Sequence, residues 1–324
     1  MDKIKIVQHS GILSCIGNTP LIPLNRVFCD SKVQLYGKLE MFNPGGSIKD
    51  RTAFNILKNA MDKGIVSDNT TIIESTSGNM GIGLARICHY FGLRLILVTD
   101  PHINTLTVNI LKAFEAEIIT VDKHDGNGGY LKTRLGKVQE LLQEIPNSFW
   151  PDQYHNMDNP SAHEQTFLEI LNSLRKEPDY IFVSTSTCGT LRGLGDAILK
   201  HNALTKIIAV DAVGSVIFGD KPNKRIIPGM GASHPSNFLN LEQVEDVIMI
   251  SDRESVEGCH HLLKTESILA GGSSGAVVKA IEKKLLDIPD NSSVVAIFAD
   301  NGERYLNTIY SEYWVNQQFN SLEK

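Results

Sequence analysis

The sequence predicts an α/β fold in which parallel sheets are covered by helices on both faces. Short β-branched and apolar runs at 33–39, 71–73, 95–99, 118–121, 180–183, 207–210, 247–250 and 294–298 alternate with stretches whose apolar residues recur at helical spacing. At 324 residues the chain exceeds one typical domain, so two domains are expected. No internal repeat, low-complexity segment or long linker interrupts the alternation.

The first informative helix follows Asn43-Pro44-Gly45-Gly46-Ser47-Ile48-Lys49-Asp50-Arg51. Ala53, Ile56, Leu57, Ala60 and Met61 repeat at the spacing of one buried face, and Ser47 is the expected N-cap. Lys49 then falls in the first helical turn. There the helix dipole and partial burial disfavour the ammonium form and make a neutral, imine-forming amine more accessible. An ordinary solvated lysine after a loop would have the same local sequence.

Three further turns repeat one pattern. Glu74-Ser75-Thr76-Ser77-Gly78-Asn79-Met80-Gly81 lies between a strand and a helix whose apolar side is Leu84, Ile87, Cys88 and Phe91. Its main-chain N–H groups with the Thr76 and Ser77 hydroxyls can hold a carboxylate, and the Asn79 amide can donate to a phenolate oxygen. A strand from Tyr180 runs into Ser184-Thr185-Ser186-Thr187-Cys188-Gly189-Thr190, which suits a phosphate. The turn has neither the lysine of a nucleoside-triphosphate loop nor the glycine spacing of a dinucleotide site, which leaves a monophosphate cradle. Ala270-Gly271-Gly272-Ser273-Ser274-Gly275 opens another helix, and a serine there can meet a ring nitrogen. Each segment taken alone also fits a capped loop.

In this order the four segments resemble the fold-type II (tryptophan synthase β-like) pyridoxal-phosphate enzymes of the cysteine synthase and cystathionine β-synthase family. The resemblance runs from Ile16-Gly17-Asn18-Thr19-Pro20-Leu21 through Pro228-Gly229-Met230-Gly231-Ala232 to Asp300-Asn301-Gly302-Glu303-Arg304-Tyr305. It implies pyridoxal 5'-phosphate as cofactor, Lys49 as the Schiff-base lysine and Asn79 as partner of the ring hydroxyl. Ser186, Thr187, Cys188, Gly189 and Thr190 become the phosphate cradle, and Ser273, with Ser274 next to it, the partner of the pyridine nitrogen. A serine there leaves the ring a modest electron sink, which favours loss of a β-substituent over transamination. Thr76, Ser77, Asn79 and Gln153 stand at the positions that bind the substrate carboxylate. The family architecture implies a smaller domain at 41–152, a larger one from 1–40 plus 153–324, the cofactor in the cleft, and a homodimer.

Departures from the cysteine synthase pattern bear on the substrates. Met80 replaces a threonine, Ser186 and Cys188 replace glycines, and Tyr154 replaces a phenylalanine. Arg134 adds a guanidinium with bidentate reach, although Lys132 and Lys137 beside it would suit a solvated basic face equally. Extra donors near the β-substituent suit a departing phosphate, hence O-phospho-L-serine. The pattern is similar to the N-(2-amino-2-carboxyethyl)-L-glutamate synthases, which make a diaminopropionate precursor for staphyloferrin B-type siderophores. The segment from Asp211 to Pro222 and the ending from Tyr305 to Ser311 strengthen that likeness, which implies L-glutamate as nucleophile. Two alternatives stand beside it: a sulfide-dependent cysteine synthase using O-phosphoserine or O-acetylserine, and a paralogue that binds the cofactor without turnover.

Composition agrees with a cytoplasmic enzyme of small molecules. A net charge of −6 argues against nucleic acid or an anionic membrane as partner. No apolar run reaches membrane-spanning length, and residues 1–10 are too polar for a signal peptide. Five scattered cysteines suit reduced thiols. Cys259-His260-His261 is the one local metal-like cluster, and its setting in a helical stretch favours a structural role over zinc, so no metal is expected.

Overall fold

The computed structural model describes residues 11–124 and 129–320. Met1–Ser10, read above for a leader segment, and Gly128, in the segment before Arg134, lie outside the described residues. In chain order the elements are β1 (Leu21–Pro23), β2 (Gln34–Leu39), α1 (Lys49–Asp62), β3 (Thr71–Ser75), α2 (Asn79–Phe91), β4 (Leu95–Thr99), α3 (Thr105–Ala113), β5 (Glu117–Thr120), α4 (Leu131–Glu144) and β6 (Ser148–Phe149). They continue with α5 (Asp158–Ser161), α6 (Glu164–Leu174), β7 (Tyr180–Ser184), α7 (Gly189–Lys200), β8 (Lys206–Ala212), β9 (Asp246–Ile250), α8 (Asp252–Glu266), α9 (Gly272–Lys284), β10 (Ser293–Phe298) and α10 (Glu312–Val315). No helix among the described residues is long and apolar enough to cross a membrane.

The chain divides into two compact units. The first holds the described part of Met1–Gly17 with Asn43–Ala162, and the second Asn18–Phe42 with His163–Lys324. In the first unit four parallel strands run in the order β5-β4-β3-β6. Alternation along β3 and β4 explains the two covered faces. Ile72, Leu95 and Leu97 pack with Ile56, Leu57, Leu84 and Ile87 of α1 and α2, whereas Ile73, Ile96 and Val98 pack with Val138 and Leu141 of α4.

The second unit carries six strands in the order β1-β2-β10-β7-β8-β9, all pairs parallel except the first. The expected parallel α/β fold is present, and β1 is the exception to it. Pro20 precedes this triplet and Pro23 ends it, which suits an edge, where it pairs antiparallel with β2. Phe182, Ile208, Val210, Val294, Ala296 and Phe298 meet Ala276, Val277, Ala280 and Ile281 of α9. Helices α8 and α9 touch backbone to backbone, because a Cβ at Gly258 would overlap the Gly275 carbonyl.

A buried charge network holds the start of this unit. Lys38, on β2, donates from Nζ to Glu169 Oε2 at 2.6 Å and to the Thr19 carbonyl at 2.7 Å, while Glu169 Oε1 accepts the Asn18 N–H at 2.8 Å. The pair thereby pins the Asn18-Thr19 turn ahead of β1. Thr19 is held again from Oγ1 to Glu40 at 2.7 Å. Removing one partner leaves an uncompensated buried charge, so Lys38→Met is expected to cost about 3–5 kcal/mol. The Lys38→Met/Glu169→Leu pair should lose less than the sum of the single changes. Additive losses in chemical denaturation would show that the two side chains do not stabilise one another.

Candidate active site

In the first unit the glycine turn is drawn onto the start of α1. Gly46 has φ 75°, its N–H reaches the Asn43 carbonyl at 2.8 Å, and the Gly45 N–H donates to the Asp50 carboxylate one turn on. Lys49 lies in the first turn of α1, as expected, but as its first residue, for the N-cap position is Ile48 and not Ser47. The shift has a local cause. Short bonds from Asp50 N to Ser47 O (3.3 Å) and Arg51 N to Ile48 O (3.2 Å) tighten the first turn, so Ile48 already has helical angles. The Ser47 hydroxyl still accepts a main-chain donor, the Lys49 N–H at 3.3 Å. Lys49 itself is half-buried.

Helix α2 starts at Asn79, directly after the hydroxyl-rich turn. It approaches α1 closely, since a Cβ at Gly83 would lie 3.2 Å from the Lys49 carbonyl oxygen. Thr76 is buried and its Oγ1 accepts the Gly78 N–H at 3.3 Å, while Ser77 and Asn79 are partly exposed. The Met80 side chain is only 2 % exposed and sits in the apolar cluster of α1 and α2.

Gln153 is brought to this turn by two contacts and braced by a third from α5. Its side-chain Nε2 donates to Ser75 O at 3.2 Å, its N–H to Glu74 Oε2 at 3.3 Å, and its carbonyl accepts from Asn159 Nδ2 at 2.7 Å. The next residue, Tyr154, has its phenol pushed above the usual range by burial, with the Arg134 charge acting in the opposite sense. Arg134 lies in the first turn of α4, with its side chain 12 % exposed. Its Nη1 is 3.3 Å from Asp100 Oδ2 and 3.4 Å from Ser77 Oγ, and its buried Nε has no partner. The solvated basic face that its neighbours allowed does not include it.

The second unit contains the other two turns. Cys188 is the N-cap of α7 with φ 63°, a left-handed backbone that a glycine would adopt without strain. Thr187 Oγ1 accepts the Gly189 N–H at 3.2 Å, and the Thr187 carbonyl accepts from Ser236 Oγ at 2.6 Å. Thr190 Oγ1 lies 3.3 Å from Nε2 of the buried His163, and Ser186 Oγ is 3.5 Å from the Gly231 carbonyl. At α9, Gly271 is the N-cap, Ser273 is 5 % exposed, and Ser274 is fully buried with an unpartnered hydroxyl. The strand-like stretch before it is clamped by Tyr310, whose hydroxyl donates to Ala270 O at 2.6 Å and accepts from Ala270 N at 3.1 Å.

Several contributors lie outside the quoted motifs: Asp100 beside Arg134, Asn159 behind Gln153, His163 against Thr190, and Ser236 against Thr187; Tyr310, which braces the turn before α9, falls in the quoted ending, which gave it no role. Asp100 alone carried a signal, as the residue following a parallel strand at its carboxyl end. Cys259, His260 and His261 have separate uses. Cys259 Sγ reaches Gly271 O at 3.4 Å, and the two imidazoles reach the carbonyls of Ile309 and Val27, each at 2.8 Å. Among the described residues no group of three potential metal ligands is gathered.

Comparison with known proteins accords with this geometry. Residues 12–300 match the family model described as pyridoxal-phosphate dependent enzyme. Among solved structures the chain is similar to O-ureido-L-serine synthase, with a TM-score of 0.87, 27% identity and coverage of 96% of both chains. It is similar to the O-acetylserine dependent cystathionine beta-synthase from Helicobacter pylori (TM-score 0.84, 31% identity, 93% of this chain and 99% of that one). The cysteine synthase of Entamoeba histolytica gives a TM-score of 0.87 and 30% identity over 99% of this chain and 98% of that one. A match over nearly the whole length, joined to hydroxyl-rich turns at the starts of α2 and α7, makes this chain a member of the pyridoxal-phosphate dependent enzymes, a β-replacement enzyme of the cysteine synthase family.

Proposed function

We propose that this enzyme joins O-phospho-L-serine and L-glutamate to form N-(2-amino-2-carboxyethyl)-L-glutamate, with release of phosphate. The product is a step toward L-2,3-diaminopropionate and siderophores of the staphyloferrin B type. The observation that carries this reading is Arg134, a largely buried guanidinium beside Ser77 Oγ with an unpartnered Nε. Such a cation with spare donors suits a departing phosphate dianion far better than a neutral acetyl group. Tyr154 and Ser186 add hydroxyls that a cysteine synthase pattern lacks. The resemblance of the segment from Asp211 to Pro222 and of the ending from Tyr305 to Ser311 to N-(2-amino-2-carboxyethyl)-L-glutamate synthases supports glutamate as the nucleophile.

The residues fit pyridoxal phosphate. An orphaned hydroxyl at Ser274 beside Ser273, and the amides that Cys188 turns toward the start of α7, are the polar groups that such a ring and its phosphate require. When bound, the cofactor supplies an electron-withdrawing ring conjugated to the substrate Cα. Lys49 would hold it covalently through Nζ and, once the substrate amine has displaced that nitrogen, the freed Nζ would take the Cα proton. Asn79 would donate to the ring oxygen, Ser186, Thr187, Cys188, Gly189 and Thr190 would hold the phosphate, and Ser273, or Ser274 next to it, would meet the pyridine nitrogen. Thr76, Ser77 and Gln153, with Asn79 and the main chain of Met80, hold the substrate carboxylate and so orient the Cα–H bond. A homodimer is the assembly we infer from the family.

Lys49→Ala is expected to abolish turnover, and borohydride treatment of the wild-type enzyme should label the peptide that contains Lys49. A label elsewhere would contradict the assignment. Mass analysis after mixing phosphoserine with glutamate or with sulfide decides the nucleophile, and exclusive turnover of sulfide would make the enzyme a cysteine synthase. Arg134→Ala should lower kcat/KM for phosphoserine about 100-fold, as for a buried charge contact, while leaving any acetylserine use within a few-fold. Equal losses would remove Arg134 from the leaving-group site.

A further inference from the structure

Glu74 is fully buried on β3, next to the turn that precedes α2, and its partners are three uncharged N–H donors. Oε1 accepts from Ser75 N at 2.7 Å and from Trp150 Nε1 at 3.1 Å, and Oε2 accepts from Gln153 N at 3.3 Å. The same dipeptide holds Gln153 a second time through Ser75 O. Glu74 therefore joins the start of the hydroxyl-rich turn to the segment after β6, although it reaches no solvent.

We propose that Glu74 is a positioning residue, whose ionised carboxylate fixes Gln153 and the Ser75–Asn79 turn in the arrangement that binds a substrate α-carboxylate. The proposal rests on the reading of Gln153, Thr76 and Ser77 given above, and it assigns Glu74 no contact with substrate. Ionisation matters because each oxygen already faces a donor. A proton on the carboxyl turns one oxygen into a poor acceptor, and Oε2, with its single long bond to Gln153, is the one that gives way. Burial pushes the carboxyl up to about 7, against the three N–H donors that pull it down, so the change falls near neutral pH. The ionisable group acting on it is Asp152, which raises it further; Glu74 in turn raises the Tyr154 phenol, as do Asp152 and Asp100 after β4, while Arg134 of α4 lowers it.

Two measurements test the role. In the apoprotein with Trp314→Phe as background, Trp150 fluorescence should titrate with a midpoint of about 7, and Glu74→Gln should remove the transition. In the protein loaded with pyridoxal phosphate, the affinity for L-serine is read from the cofactor absorbance. Relative to wild type, Glu74→Gln should bind about tenfold more weakly at about pH 8, the loss of one hydrogen bond to a charged group. The two should converge toward equal affinity at about pH 6, where wild-type Glu74 is itself mostly protonated. Taking the ratio cancels the titration of the serine amine. A ratio of one at the higher pH, a ratio independent of pH, or a Trp150 signal without a transition overturns the positioning role while leaving the proposed reaction intact. A wild-type spectrum that L-serine does not move removes the carboxylate subsite, and the role of Glu74 falls with it.

Discussion

The main-chain N–H groups at the starts of α2, α7 and α9 are the constraint around which each unit is arranged. A helix leaves its first donors without partners inside the helix, and in a parallel sheet every strand delivers the chain to the next helix at the same end. Short polar turns after β3 and β7 therefore gather donors and partial positive charge at one edge of each sheet. Hydroxyls then meet only part of that demand. Thr76 Oγ1 takes the Gly78 N–H and Thr187 Oγ1 takes the Gly189 N–H, which shapes both turns for an anion.

The braces behind the turns are polar and come from far along the chain. His163 stands against Thr190, Ser236 against Thr187, Tyr310 against Ala270, and Gln153 against Ser75. Polar contacts of this kind set direction and distance, which apolar packing does not. Two of the buried carboxylates illustrate different solutions. Glu169 is matched by the Lys38 ammonium and serves the turn ahead of β1, whereas Glu74 is matched only by N–H donors. The first is charged to its partner's benefit; the second sits near its balance point between ionised and neutral.

Periodicity made most of the fold legible, because burial on two faces requires nearly continuous apolar strands and because helix faces repeat at a fixed spacing. The runs at 95–99 and 294–298 coincide with β4 and the apolar part of β10. β6 was not legible, for two residues carry no period. The cap of α1 was misplaced by one residue, since Ser47 and Ile48 differ in backbone angles that side-chain type does not dictate. In the site, turn chemistry pointed to Lys49, Asn79 and the loop before α7. It could not reveal that Arg134 meets Asp100 and Ser77, or that Glu74 meets Trp150 and Gln153, because those partners are joined only by the sheet. Met80 shows the converse. Its place in the apolar cluster follows from the same spacing as Leu84, Ile87 and Cys88.

The cysteines have a practical consequence. Cys88 and Cys259 are buried, and desolvation raises both thiols, the second to about 12, so neither is an effective nucleophile at neutral pH. Cys188 is enclosed as well. Cys15 and Cys29 are exposed, one in each compact unit. Nature has thus supplied two native attachment points for a donor and acceptor dye, and energy transfer between them would follow any movement of one unit against the other without a single engineered residue.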